Sequence, residues 1–306
     1  MAEVAVTRRL RHLAEALGAV LALALFRLLP VEAASNLGGW LGRSLGPRLP
    51  VTRRAKRNLR LAFPAMAEQE MARTIEGMWD NLGRTLAEFP QLGRIAAPEA
   101  GRVEFTDLSG APPLAEKLRP GILVSAHLAN WEVLPVVAYR QGIDLAVIER
   151  APNNPLVGAL LERLRGVAGG RRLAKGARGA REAMALLTRG GALGILADQK
   201  SSDGIPVAFF GHEAMTSAGP AQLALRFGCP LIPARIERLG PARFRLTCHA
   251  PLALPQSGER QRDLAALTLA LNRLLEDWIR ERPEDWLWLH RRWPAAAYRH
   301  VESGAA

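Results

Sequence analysis

Ser125-Ala126-His127-Leu128-Ala129-Asn130-Trp131-Glu132 follows an apolar run from Gly121 to Val124. That run carries β-branched Ile122 and Val124 and reads as a buried strand, while Trp131 to Tyr139 has helical spacing once Asn130 caps it. His127 is therefore predicted near a strand end, with Glu132 in the first turn of the next helix. An open α/β sheet places its chemistry at such ends. The turn can fold the Glu132 carboxylate back toward the imidazole, leaving the other ring nitrogen to face a crevice. An unperturbed imidazole titrates at about 6.5 and accepts a hydroxyl proton near neutral pH; a carboxylate beside it favours the imidazolium. The same eight residues also fit a capping Asn, an exposed Glu and a His satisfied by backbone, and taken alone they do not separate the two readings.

Outward from this stretch, short apolar runs alternate with helical ones. Strand-like Gly121 to Ala126, Leu145 to Ile148, Ala192 to Leu196, Val207 to Phe210 and Leu231 to Ile236 are separated by helix-like Trp131 to Tyr139, Pro155 to Leu164, Ala177 to Thr188 and Ala218 to Phe227. This predicts an α/β fold, a largely parallel or mixed central sheet covered by helices on both faces. Arg150 ends the second strand, Arg163 and Arg165 precede a glycine-rich connection, and Asp198-Gln199 follows the strand Ala192 to Leu196. A guanidinium fork suits phosphate. The glycine-rich connection lacks both the Gly-Lys-Ser/Thr loop and the dinucleotide fingerprint, so a nucleotide site is excluded. Neither Gly-x-Ser-x-Gly nor His-Glu-x-x-His occurs, which disfavours an α/β-hydrolase and a zinc hydrolase; no metal site is predicted.

The chain has 306 residues, 49% hydrophobic and 23% charged, which describes an ordered globular protein large enough for a sizeable core. Its formal net charge of +12 implies anionic partners. No nucleic-acid-binding signature appears, so lipid or an acidic protein is favoured over nucleic acid. Two cysteines, Cys229 and Cys248, suggest no disulfide framework.

At the front, Arg8, Arg9 and Arg11 precede an apolar segment, Ala16 to Phe26, interrupted by Arg27. A spanning helix wants about 20 mostly apolar residues, so a helix lying in the bilayer interface is at least as well supported as a span. Arg27 can snorkel to headgroups, which keeps a tilted span open, and an ordinary amphipathic core helix is a further alternative. A signal-peptide-like pattern, with small residues at Ala33-Ala34, competes with this reading. The expected organisation is a membrane-associated helix over residues 1–34 and an α/β domain over 35–306. Gly38 to Pro50 reads as a loop-rich connection, and the basic run Arg53, Arg54, Lys56, Arg57 and Arg60 as a solvated or lipid-contacting face. Met66 to Leu92 and Gln261 to Arg282 have helical patterns.

His127 to Glu132 matches the His-x4-acid motif of the lysophospholipid acyltransferase superfamily, and His-Leu-Ala-Asn-Trp-Glu most resembles the bacterial lipid A late acyltransferase branch. Arg57-Asn58-Leu59 with Phe63-Pro64, Asn81-Leu82-Gly83-Arg84 with Glu88, Ile205 to Gly211, and Trp288 to Trp293 extend the resemblance from about Arg53 to about Pro294. The superfamily's Pro-Glu-Gly block is missing; the lipid A branch has an Asp-containing turn like Asp198-Gln199 instead. The resemblance implies a glycerol-3-phosphate acyltransferase-like fold and a catalytic dyad of His127 and Glu132. It also implies substrate contacts from Asn130, Arg150, Arg163, Arg165, Asp198 and Gln199, with no cofactor. The implied donor is acyl-acyl carrier protein and the implied acceptor a phosphorylated lipid A precursor, at the cytoplasmic face of the inner membrane. Another glycolipid acceptor, such as a phosphatidylinositol mannoside, and a non-catalytic membrane-binding protein remain the alternatives.

Overall fold

The computed structural model describes residues 2–149, 152–168 and 171–303. A helical front comprises α1 (Ala2–Leu28), α2 (Val31–Leu45), α3 (Thr52–Ala62), α4 (Glu68–Glu88) and the short α5 (Leu92–Ile95). The alternating part runs β1 (Val103–Asp107), α6 (Leu114–Lys117), β2 (Gly121–Ser125), α7 (Val133–Arg140), β3 (Leu145–Glu149), α8 (Pro155–Ala168), β4 (Arg171–Ala174), α9 (Ala177–Thr188) and β5 (Ala192–Leu196). Then come β6 (Lys200–Phe209), β7 (His212–Thr216), α10 (Gly219–Phe227), β8 (Leu231–Gly240), β9 (Arg243–Cys248), α11 (Arg260–Glu281) and α12 (Ala295–Ser303).

Among the described residues the main sheet has seven strands in the order β1-β9-β8-β2-β5-β3-β4. Strands β2, β3, β4, β5 and β8 are parallel to one another; β9 runs antiparallel to β8, and the edge strand β1 pairs parallel with β9, so these two run the opposite way. The mixed α/β architecture expected from the alternation is thus present, with helices flanking a mostly parallel sheet. Strand β2 sits between β5 and β8 and every one of its residues is buried. A strand covered on both faces must be apolar throughout, which is why Gly121 to Val124 reads as a continuous run.

Two expectations need correction. Val207 to Phe210 does not join the main sheet: it belongs to β6, which pairs with β7 in a separate two-stranded hairpin. Phe210 and Gly211 both have positive φ, 50° and 74°, the geometry of a two-residue turn that follows strand twist. Gly38 to Pro50 is largely helical, because α2 extends to Leu45. Its glycines are there for packing. A Cβ at Gly42 would meet the Trp79 carbonyl, and one at Gly83 would meet the Gly38 carbonyl, so α2 and α4 approach backbone to backbone. Ala34 is fully buried within α2, so Ala33-Ala34 lies inside a packed helix.

Helix α1 packs on the domain through one side only. Asn154 donates to the His12 carbonyl and to Glu15, and Gln91 donates to the carbonyls of Phe26 and Leu29. Arg27 donates to the Pro90 carbonyl at 3.0 Å instead of standing free as a snorkelling side chain would. On the other side Leu10, Leu13, Leu17, Val20, Leu21, Leu25 and Leu28 are exposed, recurring at three- and four-residue intervals along one face. Among the described residues no helix is long and apolar enough to cross a membrane.

Candidate active site

Parallel neighbours β2 and β5 are in register, Ser125 opposite Leu196, and the Ala197 amide donates to the Ser125 carbonyl. Both chains leave the sheet at the same edge, so His127 and Asp198 emerge side by side. Asp198 Oδ1 lies 2.8 Å from His127 Nδ1, and Asp198 Oδ2 accepts from the His127 backbone amide at 3.0 Å. The same Oδ2 accepts from the Trp286 indole at 2.7 Å. Burial pushes the Asp198 carboxyl up, but the charge and hydrogen bond of His127 and the Trp286 donor outweigh it and hold the group well below the usual carboxylate range. An ionised carboxylate only accepts, so Nδ1 of His127 carries a proton in either state, and in the neutral ring it is Nε2 that presents the lone pair.

The strand that would normally end here is tied from below. Leu128 forms an antiparallel bridge with Trp286, the Ala129 amide donates to the Asp285 carbonyl, and the Leu287 amide donates to the His127 carbonyl. Ala129 holds a positive φ of 44°. Its carbonyl accepts from both Asn81 and Thr85 of α4. Asn130 donates to Glu88 at 2.8 Å, and Glu88 is paired in turn with Arg238 of β8, all fully or almost fully buried. The left-handed turn is therefore held by a charged network that crosses from α4 to the sheet.

Glu132 does not meet His127. Its carboxylate takes Nε and a terminal nitrogen of Arg165 in a two-toothed pair, and Arg165 also reaches Glu149 at 2.9 Å. The Arg165 guanidinium lies over the Phe89 ring. The carboxylate expected on the imidazole is thus supplied by Asp198, and the expected His127–Glu132 contact is replaced by a Glu132–Arg165 pair. Local spacing allowed the first, but the arginine fork from α8 matches both carboxylate oxygens.

Of the other anticipated residues, Asn130 is fully buried and faces Glu88, inside the turn. Gln199 stands at the imidazole: its Nε2 is 3.1 Å from His127 Nε2. Arg163 is exposed on α8. Arg150 lies outside the described residues. The sequence reading missed His290, whose Nε2 is 2.9 Å from the same Gln199 nitrogen, and whose ring centroid is 5.5 Å from that of His127. It also missed the structural use of the basic run: Arg54 donates to the Leu289 carbonyl, and Asn58 to those of Trp288 and His290. The tryptophan cluster was the available signal, because Trp286, Trp288 and Trp293 are all buried and fix the segment that carries His290. Among the described residues no cluster of side chains suits a metal ion.

The model of the bacterial lipid A biosynthesis acyltransferase family matches residues 4–295. The chain belongs to that family. It is an acyltransferase, and the His127 loop, the Asp198 turn and the His290 segment all fall within the matched span. No curated protein sequence matches this acyltransferase. Among solved structures, the 1-acyl-sn-glycerophosphate (LPA) acyltransferase PlsC of Thermotoga maritima is similar at 16% identity, over 80% of this chain and 96% of that one, with a TM-score of 0.37.

Proposed function

We propose that this acyltransferase moves a fatty acyl chain from acyl-acyl carrier protein to a hydroxyl of a phosphorylated lipid A precursor at the cytoplasmic face of the inner membrane. The observation that carries the reading is the imidazole of His127, fixed through Nδ1 by Asp198 so that Nε2 is the basic nitrogen, in a chain of this family.

The acceptor hydroxyl gives its proton to His127 Nε2 as its oxygen bonds to the thioester carbonyl carbon. The imidazolium so formed is stabilised by the Asp198 charge, which needs no rearrangement because it already bonds Nδ1. Helix α7 begins directly after this loop, and its N-terminal dipole end favours the negative charge on the tetrahedral intermediate. Collapse breaks the carbon–sulfur bond, and the proton held on Nε2 passes to the departing thiolate. The products are an ester and a free thiol.

Arg165, with Arg150 and Arg163, suits recognition of the acceptor phosphate; Glu132 holds the Arg165 fork in position until an anion arrives. The net charge of +12 suits an acidic carrier protein and an anionic leaflet, and the exposed leucine face of α1 suits the acyl boundary of a bilayer.

The test is transfer from acyl-acyl carrier protein to the lipid A precursor, read by mass spectrometry for the wild type and for folded His127→Ala. One added acyl group in the wild type, lost in the variant, is the expected result. Equal transfer by both proteins would remove His127 from the chemistry, and no transfer by the wild type would overturn the donor and acceptor assigned here.

A further inference from the structure

Gln199 lies between two histidines, its side-chain nitrogen 3.1 Å from Nε2 of His127 and 2.9 Å from Nε2 of His290. Asp198 obliges His127 to carry its proton on Nδ1, so the neighbour of Nε2 must be a donor. That fixes the amide with its nitrogen toward the rings, and an amide nitrogen has two hydrogens, one for each imidazole. Burial, chiefly, holds the His290 imidazole below its ordinary value; His127, when protonated, and Arg54 act in the same direction and Asp198 opposes them, and the lowering favours the neutral ring, which can accept. The charged groups around the pair are Asp198 against His127 and Arg54 behind the His290 segment.

We propose that Gln199, held by His290, is a positioning residue that caps the Nε2 lone pair of His127 and so reserves the base for a bound acceptor hydroxyl over water. The inference rests on the general-base reading above and deepens it. A hydroxyl reaches Nε2 only by displacing the amide. A free water that does so exchanges one hydrogen bond at the base for another of similar strength and brings its own loss of freedom. The hydroxyl of a bound acceptor has already been ordered by the rest of that molecule, so its displacement of the amide is effectively intramolecular. After displacement the amide stays on His290 and is not lost to solvent. The consequence is protection of the thioester: its hydrolysis needs the same proton acceptor, and that acceptor is covered while no glycolipid is bound.

The role separates from simple packing with Gln199→Met, which keeps the volume and removes the donor, and with His290→Leu beside His290→Gln, which restores an acceptor for the amide. Two measurements are made on each folded protein. The first needs no substrate: the rate at which diethyl pyrocarbonate modifies His127, followed by peptide mass spectrometry, with the Nε2 nitrogen resonance of His127 recorded in parallel. The second is release of free fatty acid from acyl-acyl carrier protein without acceptor, against transfer with it. Gln199→Met and His290→Leu are expected to raise both the modification rate and the hydrolysis-to-transfer ratio about fivefold to tenfold, the scale set by one hydrogen bond of ordinary net strength. His290→Gln is expected to return both toward the wild-type values. An unchanged modification rate and an unmoved resonance in Gln199→Met would overturn the cap whatever the substrate. Faster modification with an unchanged hydrolysis ratio would overturn its water-excluding role. Faster modification with no thioester consumed by any protein would support the cap and locate the failure in the donor assigned under the proposed function.

Discussion

Asp198 Oδ1 sits 2.8 Å from Nδ1 of His127, although 71 residues separate the two along the chain. The contact decides which ring nitrogen is basic. In Asp198→Asn the amide group can donate to Nδ1, which would then hold the lone pair while Nε2 carried the hydrogen. The lone pair would then lie on the Asp198 side of the ring, away from Gln199, with little change of shape. Acyl transfer by Asp198→Asn is therefore expected to fall between about 10²- and 10⁴-fold, with thermal unfolding close to the wild type. Steady-state transfer assays check this, and near-normal turnover by a folded Asp198→Asn protein would mean that the carboxylate does not set the tautomer.

Glu132 is expected to behave differently, because its partner is Arg165. Glu132→Gln leaves the His127–Asp198 contact in place and leaves the partly buried Arg165 guanidinium with Glu149 as its remaining counter-ion. The expected loss is smaller than in Asp198→Asn. A Glu132/Arg165 double-mutant cycle should give a coupling of about 1–3 kcal/mol, whereas Glu132 and Asp198 substitutions should be near additive. Cycles on kcat/KM and on unfolding free energy distinguish the two cases. Strong coupling of Glu132 to His127, with none to Arg165, would restore the dyad that local spacing suggested.

The contrast shows where the sequence could and could not be read. Helices α9 and α10 are amphipathic, and their limits follow from spacing that any single chain displays; Ala177–Thr188 agrees with its predicted range. The strand before the His127 loop was legible because it is buried throughout, but the helix after it begins at Val133, not Trp131, so Glu132 stands just before the first turn and Asn130 does not cap the helix. The acid partner of His127 was not legible, because adjacency of β2 and β5 is a property of strand order and strand order is not written locally. Strand β4 escaped notice because it is an edge strand in which only Leu173 is buried. In α2, Gly38 and Gly42 resemble loop residues until their contacts with Gly83 and Trp79 are seen.

The exposed leucines of α1 carry a prediction about membranes. Full burial of a leucine side chain in an apolar medium contributes about 1.5–3 kcal/mol, so Leu17→Glu and Leu21→Glu should each weaken binding to anionic phospholipid vesicles about tenfold or more. Binding of the wild type should also weaken as salt rises, since the basic surface contributes through a screened attraction. Vesicle co-sedimentation measures both. Undiminished binding by the Leu17→Glu/Leu21→Glu protein would show that this face is not the one that meets lipid.

Glu88 and Arg238 predict a stability effect that reaches the active loop. The pair is buried, and Glu88 also accepts from Ser35, Asn130 and the Ala242 amide. Glu88→Gln leaves the Arg238 charge without its counter-ion, an expected cost of about 3–5 kcal/mol. Replacing both, as Glu88→Gln/Arg238→Met, should recover part of that stability, because the uncompensated charge is gone. Urea unfolding checks the order. A single variant as stable as the wild type would mean that water reaches Arg238 and the network is not sealed.

Asp285 gives the pH dependence its sign. Burial pushes its carboxyl up from 3.8 to about 6, even though Arg282 lies 3.1 Å away and favours the charge. A carboxyl raised in the folded state binds its proton more tightly there than in the unfolded chain. The folded state consequently loses stability as pH climbs from about 3.8 toward 6, and the whole penalty is present above that window. Asp285→Asn cannot ionise, so its unfolding free energy should approach that of the wild type below pH ~4 and exceed it by about 1–3 kcal/mol at pH ~8. The Asp285 carbonyl that holds the Ala129 amide belongs to the backbone and survives the change, so turnover should persist. Unfolding curves across this range provide the check. A variant less stable than the wild type at the alkaline end would show that the Arg282 ion pair outweighs the cost of burying the charge.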